Sequence, residues 1–177
     1  RGDIANRSIR YIEPVWKKIP RDYEISLIPR QQLELLFPKP YESALVKYGT
    51  EKKVDPRLVL SIMRQESRFQ ANVKSVAAAR GLMQFISTTA NKMADEMEIE
   101  DFRQNNLYNP TTAVKFGSHY MANIFKDFPD QPPAVAASYN AGEDRMARWL
   151  ERSKTNDSDR YVSEVVFTQT KDYVYKV

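Results

Sequence analysis

Residues 54–69 constrain the fold of this chain most, because their pattern predicts an amphipathic helix with a carboxylate on its apolar side. Asp55 can cap the helix N-terminus, and Pro56 suits the first helical position. Glu66 falls on the apolar stripe, which repeats at spacings of three and four residues and consists of Leu58, Val59, Ile62, Met63 and Phe69. We therefore expect this helix to pack into a core with Glu66 turned toward it.

The position of Glu66 has two interpretations. A carboxylate on a packed face is costly unless it is paired, hydrogen-bonded or protonated, and burial raises its pKa toward neutrality. A carboxyl group of that kind can serve as a general acid. Alternatively, Glu66 is a structural ion-pair residue, because Arg64, Arg68 and Arg80 are close in sequence. Periodicity alone leaves both interpretations open.

Composition excludes several functional classes. The 177 residues contain no cysteine, which excludes disulfides and thiolate chemistry, and His119 is the single histidine, which nearly excludes a zinc site. No apolar run approaches the ~18 residues of a membrane-spanning helix. The net charge of +4 comes from scattered basic residues without a nucleic-acid motif. We expect no metal, no cofactor, no nucleic-acid partner and no membrane span.

The chain divides near residue 40. Residues 1–40 hold half of the ten prolines, which predicts only short helices between the breaks. We interpret this part as a connector that lies against the main domain or against a preceding domain. Residues 41–177 read as successive helices, including a helix that ends before Gly49, a small-residue helix at 134–139 and a last helix at 161–177. The absence of alternating strand patterns predicts a mainly α fold.

Four short motifs occur in a fixed order along the main domain. They are Glu66-Ser67, Gly81-Leu82-Met83-Gln84, the run ASYNAG at 137–142 and the run FTQTKDYV at 167–174. Together they resemble the catalytic domain of the soluble lytic transglycosylases, a lysozyme-like helical domain that cleaves peptidoglycan. The resemblance covers roughly residues 40–177. The connector is similar to the segment that joins this domain to a large helical superhelix in such enzymes.

The resemblance implies a role for seven residues. Glu66 corresponds to the only catalytic acid and base, and six others correspond to substrate-side residues: Ser67, Met83, Gln84, Tyr139, Asn140 and Gln169. Ser67 is expected at the reaction centre, and the Tyr139 hydroxyl is expected near the catalytic carboxyl. Met83 and Gln84 are expected to line the sugar groove, although Met83 also suits an ordinary core position.

Two departures from the family pattern stand out. Relatives usually carry Glu where this chain has Gln169, which removes a second carboxylate from the closing motif (residues 167–174). If this helix faces the groove, we expect Gln169 to point toward Glu66 and Tyr139. Relatives also often have Pro-Gly where this chain has Glu143 and Asp144, a change that we expect to affect only a turn.

The implied reaction needs a single carboxyl group. It cleaves the MurNAc–GlcNAc β-1,4 bond of peptidoglycan in the periplasm and leaves a 1,6-anhydroMurNAc end, whereas ordinary glycosidases use two carboxyl groups. Two alternatives remain at this stage. One is a lysozyme-type hydrolase of the same fold, in which water replaces the sugar hydroxyl. The other is a glycan-binding domain with weak or no activity.

Overall fold

Regular structure in this protein is helical. The computed structural model describes residues 2–20 and 22–177, and in that part of the chain the only β pairing consists of two isolated bridges, Lys74 with Arg80 and Arg80 with Phe85. The ten helices are α1 (Gly2–Trp16), α2 (Arg30–Leu36), α3 (Glu42–Lys52), α4 (Pro56–Ser67), α5 (Ser87–Glu96), α6 (Pro110–Asp127), α7 (Pro132–Ala141), α8 (Glu143–Ser153), α9 (Ser158–Tyr161) and α10 (Thr168–Lys176). Short 3₁₀ segments occur at Ile25–Leu27, Gln104–Tyr108 and Val162–Glu164. The mainly α fold is confirmed.

The central helix α4 forms as its sequence predicts. The Asp55 carboxylate accepts a hydrogen bond of 2.8 Å from the backbone N–H of Arg57, and Pro56 occupies the first helical position. The buried face carries Val59, Ile62 and Met63. No helix among the described residues is both long enough and apolar enough to cross a membrane.

Helix α7 lies at the centre of the domain. Its five consecutive residues 134–138 are all buried, and four of them are Ala or Val. Because such side chains let neighbouring backbones approach closely, α7 contacts α6, α8 and α10. This small-residue helix lies deep in the core, and its packing brings the ends of α7 and α10 close to α4.

Helix α3 runs past the end that the sequence predicted. The helix continues through Gly49 to Lys52, and Lys53 takes the left-handed conformation that ends it. Gly49 serves a different purpose, because a Cβ there would lie 2.9 Å from both the Val54 carbonyl oxygen and the Pro56 ring. The glycine thus permits the close approach of α3 to the start of α4.

The predicted helix over 161–177 is interrupted. Helix α9 ends at Tyr161, a 3₁₀ turn follows, and α10 begins at Thr168. Val165 and Phe167 have extended backbone conformations, with ψ of 109° and 113°, and they separate the 3₁₀ turn from α10.

The first helix is also longer than predicted, but it packs on one face. Helix α1 spans 15 residues and includes Pro14 near its end, so the prediction of only short helices between prolines is wrong here. Ala5 and Ile9 belong to the main core, whereas Ile4 and Tyr11 are 66% and 74% exposed. Helix α1 of the connector therefore lies against the main domain. The division of the chain at residue 40 stays a prediction.

Candidate active site

Glu66 occupies the last turn of α4, where α10 packs against it. The Tyr173 hydroxyl on α10 donates a hydrogen bond of 2.6 Å to Glu66 Oε1. The carboxyl group is largely removed from water, and this burial raises its pKa to about 7 against an ordinary value of 4.5, while the hydrogen bond from Tyr173 acts in the opposite direction. A carboxyl group that titrates near neutrality can both donate and accept a proton at physiological pH.

The ion-pair interpretation of Glu66 is not what the structure shows. Arg64 lies two positions before Glu66, a rotation of about 200° around the helix, so it projects from the opposite face, and Arg68 follows the end of the helix in a left-handed conformation. Both approach Glu13 on α1, at 3.7 Å and 2.6 Å respectively. Arg80 donates to Asn105 Oδ1 at 2.6 Å. All three arginines that are close in sequence thus have partners elsewhere.

Tyr139 lies in an aromatic cluster beside Glu66. Its ring centroid is 5.3 Å from that of Tyr120 and 6.0 Å from that of Phe85. Burial raises the pKa of the Tyr139 hydroxyl, and the nearby charge of Glu66 raises it further. The hydroxyl donates to the Met83 carbonyl oxygen at 2.8 Å, so it ties α7 to the segment 81–85. Tyr139 therefore remains a neutral hydroxyl close to the candidate acid.

The segment 81–86 forms a tight turn before α5. Gly81 has φ +73° and faces the Leu107 carbonyl so closely that a Cβ could not fit, while Gln84 has φ +50°. The Gln84 side-chain amide donates to the Gly81 carbonyl oxygen at 2.8 Å. Gln84 is half-buried, whereas Ile86 is 43% exposed. This turn holds the Gln84 amide at the surface in a strained backbone conformation that the close packing maintains.

Of the two positions that the sequence left open for Met83, the structure shows the core position. Its side chain is fully buried and packs against Gly117 of α6, where the missing Cβ leaves room for it. The side chain therefore lies in the core and does not line an open groove. The carbonyl group of Met83 is the part that reaches the candidate site, through its hydrogen bond with Tyr139.

The remaining predicted site residues differ in their surroundings. Ser67 is buried, and its hydroxyl donates back to the Met63 carbonyl oxygen at 3.2 Å. Asn140 Oδ1 accepts a hydrogen bond of 2.8 Å from Thr170, which joins the end of α7 to α10. Gln169 is exposed at the start of α10. A substrate-side role for these three residues stays a prediction.

Tyr173 is the residue that sequence reasoning missed. It lies within the closing motif, and on a helix it shares a face with Thr170, three residues earlier, which is also buried. That spacing predicts an inward aromatic side chain, but only the packing of α10 on α4 shows its contact with Glu66. Elsewhere in the described residues, no group of three or more His, Cys, Asp or Glu side chains is arranged to hold a metal ion.

Comparison with protein families and curated sequences gives a consistent result. Residues 43–162 match the profile of the family described as "Transglycosylase SLT domain". The chain is 32% identical over 147 residues to the soluble lytic murein transglycosylase of Salmonella typhimurium, and 31% identical over 147 residues to that of Escherichia coli K12. Each alignment covers 82% of this chain but only 23% of the relative, so the chain spans about a quarter of the length of these curated relatives.

Solved structures show the same similarity. The 70-kDa soluble lytic transglycosylase of Escherichia coli superposes with a TM-score of 0.79 at 25% identity, and the match covers 97% of this chain and 28% of the larger one. A 70-kDa soluble lytic transglycosylase in complex with bulgecin A superposes with a TM-score of 0.77 at 30% identity, covering 82% of this chain and 24% of the other.

Proposed function

The chain belongs to the family of transglycosylase SLT domains, and from that premise we propose that it cleaves peptidoglycan glycan strands as a lytic transglycosylase. In this reaction the MurNAc–GlcNAc β-1,4 bond breaks without water and a 1,6-anhydroMurNAc end remains. The observation that carries the proposal is the largely buried carboxyl group of Glu66, whose pKa is raised to about 7 and whose oxygen accepts a hydrogen bond from the Tyr173 hydroxyl.

The first step is proton donation by Glu66. Because burial raises its pKa to about 7, a large fraction of the carboxyl groups are protonated near neutral pH. The acid transfers its proton to the oxygen that links MurNAc to GlcNAc, the C1–O bond breaks, and GlcNAc leaves as an alcohol. The N-acetyl oxygen of MurNAc stabilises the positive charge at C1.

The second step returns the proton to Glu66. The new carboxylate accepts the proton of the MurNAc C6 hydroxyl while that oxygen attacks C1 and closes the anhydro ring. The acid form of Glu66 is thus regenerated, and the C6 hydroxyl oxygen serves as the nucleophile. The reaction needs neither a protein nucleophile nor a water molecule. Because both reacting groups belong to one sugar, the step has the large effective concentration of an intramolecular reaction. The hydrogen bond from Tyr173 stabilises the carboxylate between the two steps, since it lowers the pKa of Glu66.

The other site residues hold the sugar in this proposal. The half-buried Gln84 amide and Asn140 amide offer hydrogen bonds to sugar hydroxyl or N-acetyl groups. Tyr139 positions the 81–85 turn, because its hydroxyl donates a hydrogen bond to the Met83 carbonyl oxygen in that turn. Ser67 supports the last turn of α4 through its bond to the helix backbone. Gln169, exposed at the start of α10, contacts the glycan strand without adding a charge.

The experiment is release of soluble fragments from purified sacculi by the wild-type chain and by Glu66→Gln. We expect the variant to bind sacculi with unchanged affinity and to lose turnover by at least about a hundredfold, because donation and acceptance share one group. An exposed-carboxylate variant, Glu100→Gln, serves as the control and should retain full activity. Substantial turnover by Glu66→Gln would refute the single-carboxyl mechanism.

We further propose that the chain is the catalytic part of a periplasmic protein with an additional helical domain that covers α1. The exposed apolar side chains Ile4 and Tyr11 on the outer face of α1 support this proposal. Since the chain contains no cysteine, Tyr11→Cys introduces a unique thiol. Maleimide should label it quickly in the 177-residue chain and slowly in the full-length protein. A matched Tyr175→Cys thiol should react at similar rates in both, and equal rates for Tyr11→Cys would contradict the proposal.

A further inference from the structure

A cavity lies between the connector (residues 1–40) and the main domain. It has a volume of about 690 Å³ and opens between α1–α2 on one side and α4 and the end of α10 on the other. This volume falls within the range of ~300–1,000 Å³ typical of ligand pockets. Its apolar wall consists of Trp16, Leu36, Phe37, Pro38, Leu60 and Phe69. We call it the leader pocket.

The leader pocket is separate from the Glu66 site although both use α4. Arg64 lines the pocket from the helix face opposite Glu66, and Arg68 lines it from just beyond the end of α4. The pocket lining also includes Ser61, which lies on the same outward side of α4. A ligand in the leader pocket would therefore not occupy the site beside Glu66.

The charge of the leader pocket is strongly unbalanced. Four of the side chains that line it are cationic, namely Lys17, Arg64, Arg68 and Lys176, whereas Glu13 is the one acidic side chain in the described lining. Glu13 is shared by the two arginines, at 2.6 Å from Arg68 and 3.7 Å from Arg64.

Arg68 is paired with Glu13 at 2.6 Å, whereas the other three cations have no acidic partner closer than 3.7 Å among the described residues. The Arg64 side chain is 20% exposed, and its shortest hydrogen bond, of 2.6 Å, is donated to the Leu36 carbonyl oxygen, which is a neutral acceptor. Lys176 has only a distant acidic neighbour, Asp172 at 3.9 Å on its own helix. Lys17 has no acidic partner within 4.0 Å in residues 2–20 and 22–177. The pocket thus offers positive charge to a ligand.

We propose that the leader pocket binds a short acidic peptide that also carries an apolar side chain. The cations come from three parts of the chain, namely the residue after α1, the last turn and end of α4, and α10. They therefore suit carboxylates that are spaced along a ligand better than one compact phosphate, which needs convergent donors. The exposed ring of Phe37, at 54%, and the Trp16 indole supply the apolar contact. This proposal stands independently of the reaction at Glu66.

Isothermal titration calorimetry on the 177-residue chain tests the proposal with the peptide Glu-Leu-Glu-Phe, which, like its comparison peptide, is acetylated at the N-terminus and amidated at the C-terminus. The neutral peptide Gln-Leu-Gln-Phe is the matched ligand, and we expect it to bind at least tenfold more weakly, as about 1.4 kcal/mol corresponds to tenfold. The double variant Lys17→Gln, Lys176→Gln should weaken binding of the acidic peptide by up to about tenfold. The control double variant Lys18→Gln, Lys126→Gln removes the same charge at exposed positions outside the pocket and should bind normally.

A second variant tests the cavity itself. Ser61→Phe places a ring in the leader pocket from the outward face of α4, and it should abolish peptide binding while the unfolding temperature and the release of fragments from sacculi stay near wild type. Equal affinity for the acidic and neutral peptides would overturn the proposal. Unchanged affinity in the Lys17→Gln, Lys176→Gln variant or in Ser61→Phe would overturn it too, because binding would then take place elsewhere.

Discussion

Replacing Glu66 with glutamine should make the protein more stable at alkaline pH, although it removes the proposed catalytic group. Burial raises the pKa of Glu66 from 4.5 to about 7, so in this pH range the folded state binds a proton that the unfolded state has released. The stabilising contribution of the protonated Glu66 carboxyl is complete below its pKa in the unfolded state. It is lost as the pH rises through its pKa in the folded state. An amide has no such titration.

The magnitude follows from the raised pKa. One pKa unit corresponds to about 1.4 kcal/mol, so the interval between 4.5 and about 7 corresponds to about 3 kcal/mol as an upper value. We therefore expect Glu66→Gln to match the wild type in stability at about pH 4 and to exceed it by up to about 3 kcal/mol at about pH 8. The loss of a carboxylate acceptor for Tyr173 reduces the gain somewhat.

Urea unfolding measured across this pH range is the assay. Glu100→Gln, an exposed carboxylate change, should differ from the wild type by less than about 0.5 kcal/mol at every pH. The reasoning is refuted if the stability difference between the wild type and Glu66→Gln does not grow with pH. It is also refuted if the variant is the less stable protein at alkaline pH, because Glu66 would then be stabilised as a carboxylate.

Three further predictions concern the same helix packing. Tyr173→Phe removes the hydrogen bond that lowers the pKa of Glu66, so the acidic form should persist to higher pH and the upper limb of the pH–rate profile should move upward; an unmoved limb would count against the contact. Ile9→Ala should cost about 2–4 kcal/mol of unfolding free energy, against less than about 0.5 kcal/mol for the exposed Ile4→Ala, and equal losses would show that α1 is not part of the core. Gln169→Glu should raise the pKa of Glu66 through like charge and shift the activity optimum upward; an unchanged profile would place residue 169 away from the site.

Local signals in the sequence predicted α4 and the state of Glu66. The cap at Asp55, the proline that follows it and the three- and four-residue spacing are all properties of neighbouring residues, and they specify which face is buried. Because Glu66 lies on that face, helix periodicity predicted a raised pKa as one of two interpretations, and the tertiary partners of the nearby arginines excluded the ion pair.

Tertiary contacts decided the features that sequence patterns did not. The partner of Glu66 is Tyr173, 107 residues later, and no local rule connects the two. Met83 is buried because Gly117, on another helix, leaves space for it. Gly49 looks like a helix end in sequence, yet the approach of Pro56 requires a glycine inside the helix. In each case a distant residue overrides the local preference.

The central claim is that Glu66 acts as acid and then base while the MurNAc C6 oxygen closes an anhydro ring without water. Mass spectrometry of sacculi digested in heavy-oxygen water tests this claim most directly. We predict fragments that end in 1,6-anhydroMurNAc, each lighter by one water than a hydrolysis product and free of the heavy isotope. Reducing ends that carry heavy oxygen would contradict the account, because they require attack by solvent at C1.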